Sequence, residues 1–310
     1  MNHPTFVVLA AGMSTRFGRL KQVEPMGPAG ESIMLYNLYD AARAGFVEAV
    51  FVVRPEIEAE VVAHVEQTVD GHFPVRYVHQ TLDRLPDGYW APPDRGAPWG
   101  TGQAILCAVE AITGPFAVCN ADDFYGSDAI RQLHGHLSTD PLPTEAVLVG
   151  YTLADTLSTS GGVARGICVL ARDQLLDSVS EVRQIQTRDG WISGETDDGD
   201  IIELSGSEVV SMNLWGFSDP VVKLLRGQFR RFLDMKGGDP TAEFPLSSAI
   251  SEQVLTGTIR VKVLHGPSDW FGVTHLADRP AAQAILRKRV EGGLYPHDLR
   301  EAFQRLGDPD

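Results

Sequence analysis

Leu9-Ala10-Ala11-Gly12-Met13-Ser14-Thr15-Arg16-Phe17-Gly18-Arg19-Leu20-Lys21 carries the buried-strand candidate at 6–9 into a glycine-bearing loop. Small residues at the start of such a loop let backbone N–H groups come close to an anion. Arg16 and Lys21 add two cations to the same segment. A guanidinium can grip a phosphate with two parallel hydrogen bonds, whereas an ammonium acts as a mobile point charge. A tight strand-to-helix turn with two surface cations is the plainer reading of these letters. Two other nucleotide loops fail on spacing. A Walker A loop needs Gly-Lys-Ser/Thr, and here Lys21 comes three residues after Gly18 and is followed by Gln22. A dinucleotide loop needs G-x-G-x-x-G with an acidic residue about 20 positions on. Gly12-Met13-Ser14 breaks that pattern, and the second strand ends at Val53-Arg54-Pro55.

Outward from this loop, apolar runs alternate with helical spacing. A helix is predicted over 32–44 through Ile33, Leu35, Leu38 and Ala41, stopped by Gly45. Strands follow at 49–53 and 75–79, separated by a helix at 55–69. A Pro/Gly-rich loop at 81–100 leads into a helix at 102–112, then a strand at 116–119 ending in Asn120-Ala121-Asp122-Asp123. This alternation predicts an α/β fold, a mostly parallel sheet flanked by helices, with ligands outside the carboxyl ends of the strands. The second half is less regular: strands at 146–151, 164–170, 179–186, 209–217 and 259–263, helices at 220–233, 246–254, 278–291 and 296–306.

The bulk numbers exclude several classes. Hydrophobic residues at 43% and charged residues at 22% suit a globular core. A net charge of −15 argues against a nucleic-acid-binding surface, which needs clustered Lys and Arg, but leaves room for a small anion in a pocket. Cys107, Cys119 and Cys168 sit in apolar stretches without C-x-x-C spacing, as buried thiols in a reducing compartment do. No signal peptide is visible, and no apolar run approaches the roughly 20 residues that span a bilayer. A soluble, cytoplasmic protein without membrane or nucleic-acid partners is expected.

The Leu9–Lys21 stretch resembles the L-A-A-G-x-x-x-R-x…K signature of the nucleotidyltransferase superfamily, which includes sugar-1-phosphate uridylyl- and thymidylyltransferases and related cytidylyltransferases. The resemblance continues in order through Pro98-Trp99-Gly100-Thr101-Gly102-Gln103-Ala104, Asn120-Ala121-Asp122-Asp123, Ser211-Met212-Asn213 and Trp270-Phe271-Gly272-Val273-Thr274. It spans 5–285 and implies one Rossmann-like GT-A nucleotidyltransferase domain over 1–310. Within it, 1–145 would bind nucleotide, 146–285 would bind the second substrate, and 286–310 would form a helical tail.

By the same resemblance, Leu9, Ala10, Ala11 and Gly12 hold a nucleoside triphosphate, with its base near Trp99, Gly100 and Thr101; read from the residues alone, that stretch is equally a capped helix start, with Thr101 as cap and Trp99 packing nearby. Arg16 and Lys21 act on the phosphates, and Asp122 binds Mg²⁺. Asp123 is an alternative ligand, or a partner of the first, because neighbours on extended chain face opposite ways. Relatives often carry Asp or Asn where this chain has Thr274, which offers only a hydroxyl; Asp269 and Asp278 flank that stretch as substitutes, although Asp278 reads better as a helix cap. Glu181, Asn213 and Gly162 fall near the sugar, and Arg165 and Arg183 are the cations for its phosphate. The expected reaction joins UTP, with dTTP or CTP as alternatives, to a sugar 1-phosphate and releases pyrophosphate. A cytidylyltransferase acting on a phosphorylated alcohol or sugar acid stays open, as do a non-catalytic nucleotide-binding regulator and a homo-oligomer.

Overall fold

The structure is a computed structural model that describes residues 3–12, 20–139, 144–188, 190–273 and 275–307. Strand β1 (Thr5–Leu9) lies between β2 (Ala49–Val53) and β4 (Phe116–Asn120), parallel to both, and β2 carries β3 (Val75–His79) on its far side. Phe6 and Val8 enter one core and Val7 the other, so this apolar run is covered on both faces. Helices α1 (Ile33–Ala44), α2 (Pro55–Val69) and α3 (Thr101–Val109) make the crossovers. Gly45 ends α1 in the left-handed region at φ 103°, returning its N–H to the carbonyls of Ala41 and Ala42.

The predicted parallel pairing holds across β4-β1-β2-β3, and the second half joins this block mainly by antiparallel pairs. Strand β11 (Val209–Phe217) runs antiparallel to β4 and also pairs with β6 (Glu145–Thr152), which carries β12 (Arg260–His265) in parallel. From β11 the sheet extends through β7 (Val163–Leu170), β8 (Leu176–Arg188), β9 (Trp191–Thr196) and β10 (Ile201–Leu204). The β9–β10 hairpin was not expected from the sequence. It lies at the sheet edge with Trp191 and Ile201 exposed, so it has no continuous apolar run to betray it. The short strands β5 (Asp123–Phe124) and β13 (Phe271–Gly272) form a separate pair.

One edge of β11 serves two partners. Val209–Ser211 pair with β7 and Trp215–Phe217 with β4, while β6 occupies the other edge along both stretches. Between them the register slips and Asn213 takes φ 60°, a left-handed conformation that Asn tolerates better than most residues. The sheet therefore opens beside Asn213.

Helix α3 packs with α5 (Asp219–Lys236) and α6 (Leu246–Leu255) on one face. The other face carries α1 and α4 (Ser127–Ser138), with α7 (Arg279–Glu291) and α8 (Leu299–Gly307) further along the chain. Helix α8 packs against α1 and α2, and Tyr36, Tyr39, Tyr295 and Phe303 interlock edge-on between these segments. The same region buries Asp40, whose carboxylate accepts the Tyr295 hydroxyl at 2.5 Å.

Burial pushes the Asp40 carboxyl up to about 7. A raised folded-state value means stability is full below the unfolded value near 4 and is lost as pH rises toward 7. Asp40→Asn keeps an acceptor for Tyr295 without the charge. Its urea midpoint relative to wild type should climb between about pH 4 and 7 and then level off; a pH-independent difference would refute this.

Candidate active site

Strand ends β1, β3 and β4 meet at a cleft of about 900 Å³. Leu9, Ala11 and Gly12 line it from β1, Gln80 from the end of β3, and Asn120 and Asp122 from the end of β4. Gly100 and Thr101 form a further part of the wall, and Glu181, Arg183 and Asn213 face it from the second half. A smaller space of about 270 Å³ adjoins at the opening in the sheet and is lined by Lys21, Asp123, Arg165 and Gly166. Asp122, Asn120, Glu181 and Asn213 border both.

The loop after β1 is held by side chains that the sequence did not single out. Gln22 donates Nε2 to the carbonyls of Ala10 at 3.1 Å and Gly12 at 3.0 Å, and Arg54 donates Nε to Ala11 O at 3.0 Å. In a planar trans peptide the following N–H points opposite to the carbonyl. Engaging the carbonyls of Ala10 and Ala11 thus turns the N–H groups of Ala11 and Gly12 away from Gln22 and Arg54. Ala10 itself is fully buried and does not line the cleft. Arg16 lies outside the described residues.

The Gly100-Thr101-Gly102 stretch is zipped to the chain before α6. Phe244 N donates to Trp99 O at 2.7 Å, Gly102 N to Phe244 O at 3.0 Å, and Leu246 N to the Thr101 hydroxyl at 2.9 Å. Thr101 therefore serves the start of α6, while Gly100 precedes its own helix at φ 97°. A Cβ at Gly102 would stand 2.5 Å from the Phe244 ring, so the glycine is required for this approach. Trp99 takes the packing alternative. Its indole is fully buried against Phe229 and Phe232, donates to Leu82 O at 2.9 Å and is stacked by Arg95.

Beside Gly100, two buried amides fix each other. Gln103 Nε2 donates to the carbonyls of Thr81 and Arg84, which leaves Gln103 Oε1 to accept Gln80 Nε2 at 2.7 Å. The second N–H of Gln80 goes to Gly100 O at 3.1 Å. Both Gln80 donors are spent, so its Oε1 is the group left to meet a ligand in the cleft.

At the junction of the two spaces, Lys21 forms an ion pair with Asp122, whose carboxylate remains about one-third exposed. Asn120 Nδ2 donates to Asp123 at 2.9 Å, and Tyr125 bridges the parting strands. Its buried hydroxyl accepts from Asn120 N at 3.0 Å and donates to Met212 O at 2.7 Å. Burial, and then the Asp122 charge, raise the Asp123 carboxyl above the usual range. Arg165 is buried: Nε bonds the Thr156 hydroxyl at 3.1 Å, Nη1 the Ala164 carbonyl at 2.7 Å, and the guanidinium lies over Trp270. Burial lowers its proton affinity. Arg183 is exposed and shared between Glu181 and Asp197, both at 3.0 Å.

Two expectations, for Gly162 and Asp269, meet a different arrangement. Gly162 does not border the cleft; its carbonyl faces His275 at 3.3 Å, and Gln184 packs against it. Asp269 pairs with Arg289 at 2.7 Å and is already engaged, while Asp278 takes its cap reading, capping the turn at His275 and accepting from Ser158. Thr274 lies outside the described residues. Among the described residues no cluster of three His, Cys, Asp or Glu side chains could hold a metal by itself.

Tyr125→Phe should strip the partner from two backbone groups at the opening of the sheet. The expected cost is about 1–3 kcal/mol in the urea-derived unfolding free energy, and an unchanged midpoint would show that Tyr125 does not hold the strands there.

No family model matches the chain, and no curated protein matches it in sequence. In three dimensions it is similar to an inositol-1-phosphate CTP transferase from T. maritima, with a TM-score of 0.61 and 14% identity, covering 94% of this chain and 98% of that one. It is also similar to a UDP-glucose pyrophosphorylase solved with UDP-glucose, with a TM-score of 0.57 and 14% identity, covering 91% and 97%. The likeness runs over nearly the whole length of each, so this chain shares the α/β fold of these two nucleotidyltransferases.

Proposed function

We propose that the chain is a nucleotidyltransferase that joins a nucleoside triphosphate to a small phosphorylated substrate, foremost a sugar 1-phosphate, and releases pyrophosphate. The observation that carries this reading is the Lys21–Asp122 pair, set where the large cleft meets the smaller polar space. The cleft suits the nucleotide and the adjoining space the acceptor, so the reacting phosphates would meet at that pair. The nucleotidyltransferase fold of both similar structures supports it.

Asp122 is a hard oxygen donor, partly exposed beside a second carboxylate. Mg²⁺ typically takes one or two carboxylates and completes its shell with waters and substrate phosphates, so these residues fit it without an all-protein cage. Held there with Asp123 as neighbour, Mg²⁺ would supply charge neutralisation at the phosphates. Lys21 would pass from Asp122 to the α-phosphate or the attacking phosphate, and Arg16 would meet charge on the departing pyrophosphate. The acceptor oxygen is already ionised at neutral pH, so in-line attack on the α-phosphorus requires no general base. Glu181 and Asn213 would hold the acceptor's hydroxyls, with Arg165 and Arg183 nearby.

Gln80 Oε1 is an acceptor and suits a base that presents an N–H, which every nucleobase does, so it would orient the base without ranking one above another. UTP stands first, with dTTP and CTP next. Similarity to an inositol-1-phosphate CTP transferase also brings CTP with a phosphorylated polyol into consideration.

The test is pyrophosphate release with Mg²⁺ across UTP, dTTP, CTP, GTP and ATP, each with sugar 1-phosphates, inositol 1-phosphate and phosphocholine. Turnover with one pair is expected; nucleotide binding without turnover for every pair would favour a regulator. Lys21→Ala should lower kcat/KM by roughly a hundredfold or more, as loss of a charged contact to the reacting phosphates does, and intact turnover would sink the assignment. Gln80→Ala should raise the KM for the triphosphate about tenfold. A pure kcat loss would contradict a base contact.

A further inference from the structure

A second hollow of about 230 Å³ lies on the far side of α3, between that helix, the chain near 84–86 and α5. Its walls include the apolar, half-buried Leu85 and Leu106, and Arg84, Arg226 and Arg230 face it against a single carboxylate, Glu110. Three guanidiniums around one small hollow stand out in a chain of net charge −15. Arg226 and Arg230 are one helical turn apart on α5, exposed, and without an ion-pair partner among the described residues. Like charges at that spacing repel, and an anion between them removes the repulsion.

Arg84 ties this hollow to the cleft. Its guanidinium pairs with Glu110 and donates Nη1 to His79 O at 3.0 Å, while its carbonyl accepts Gln103 Nε2 at 3.2 Å. Gln80 follows His79 directly and is oriented by Gln103. An anion that competes with Glu110 for Arg84 would thus pull on the segment that carries Gln80.

We propose that this hollow is a second binding site, for a small phosphorylated compound with an apolar part, and that its occupancy is felt in the nucleotide cleft through Arg84 and Gln103. A phosphoryl group carries close to two negative charges at neutral pH, which suits three guanidiniums offset by one carboxylate. The apolar part would lie on the half-buried Leu85 and Leu106. The binding claim stands apart from the proposed activity, whereas the coupling rests on it.

Phenyl phosphate, a ring bearing such a dianion, is the probe. Calorimetric titration at low ionic strength should show one binding event in the wild type and the same event in Lys21→Ala, where only the cleft is altered. In the Arg226→Ala/Arg230→Ala variant the affinity should fall roughly tenfold or more. No binding by the wild type, equal affinity in the arginine variant, or loss in Lys21→Ala would each overturn the site. Inorganic phosphate should bind more weakly than phenyl phosphate; equal affinity would remove the apolar part of the claim. Bound phenyl phosphate should then shift nucleotide affinity, read by calorimetry independently of turnover, in the wild type but not in the arginine variant. Binding without that shift would overturn the coupling and leave the site standing. Failure of the proposed reaction would show instead as absent pyrophosphate release.

Discussion

Strand β11 gives one edge to two partners, and the rest of the site depends on how the gap between them is closed. Ser211 still pairs with β7 and Trp215 already pairs with β4, so the backbone between them has no neighbouring strand on that side. Unpaired backbone groups inside a protein are costly. The Tyr125 hydroxyl bonds two of them, at Asn120 and Met212, and Asn213 turns through φ 60°. The opening is therefore a braced feature, and Asn120, Asp122, Glu181 and Asn213 border it from three strands and a turn.

Two kinds of side chain keep the cleft in shape. Charged groups pair along its wall: Lys21 with Asp122 from separate segments, and Arg183 with Glu181 two residues away on β8. Amides work behind the wall, where Gln22 gathers the loop carbonyls and Gln103 sets the direction of Gln80. A Gln serves both tasks because it carries donors and an acceptor without the desolvation cost of a charge. Arg165 does carry that cost, and its bonds to Thr156 and Ala164 help offset it.

Much of this was legible in the letters. Residues 55–69 and 209–217 form the elements that their periodicity predicts, because each buries one face or both, and 75–79 forms its strand at the sheet edge, only partly covered. The loop after β1 and the turn at Asn120–Asp123 come from strand ends, so parallel topology alone brings them to one side of the sheet. The β9–β10 hairpin was not legible, since an exposed edge strand leaves little hydrophobic pattern. Gln22, Arg54, Gln80 and Tyr125 were not legible either; a single polar letter does not reveal which distant carbonyl it will meet.

By itself, then, the sequence determined the α/β alternation, the strand-end location of the polar motifs and the pairing of small residues with cations after β1. Those are local properties, set by side-chain period and backbone freedom over a few residues. Only the tertiary structure decided that Trp99 is core, that Thr101 serves α6, that Gly162 stands off the cleft and that Lys21 meets Asp122. Each of these depends on contacts between residues far apart in the chain, where packing and hydrogen-bond satisfaction, not local preference, select the partner.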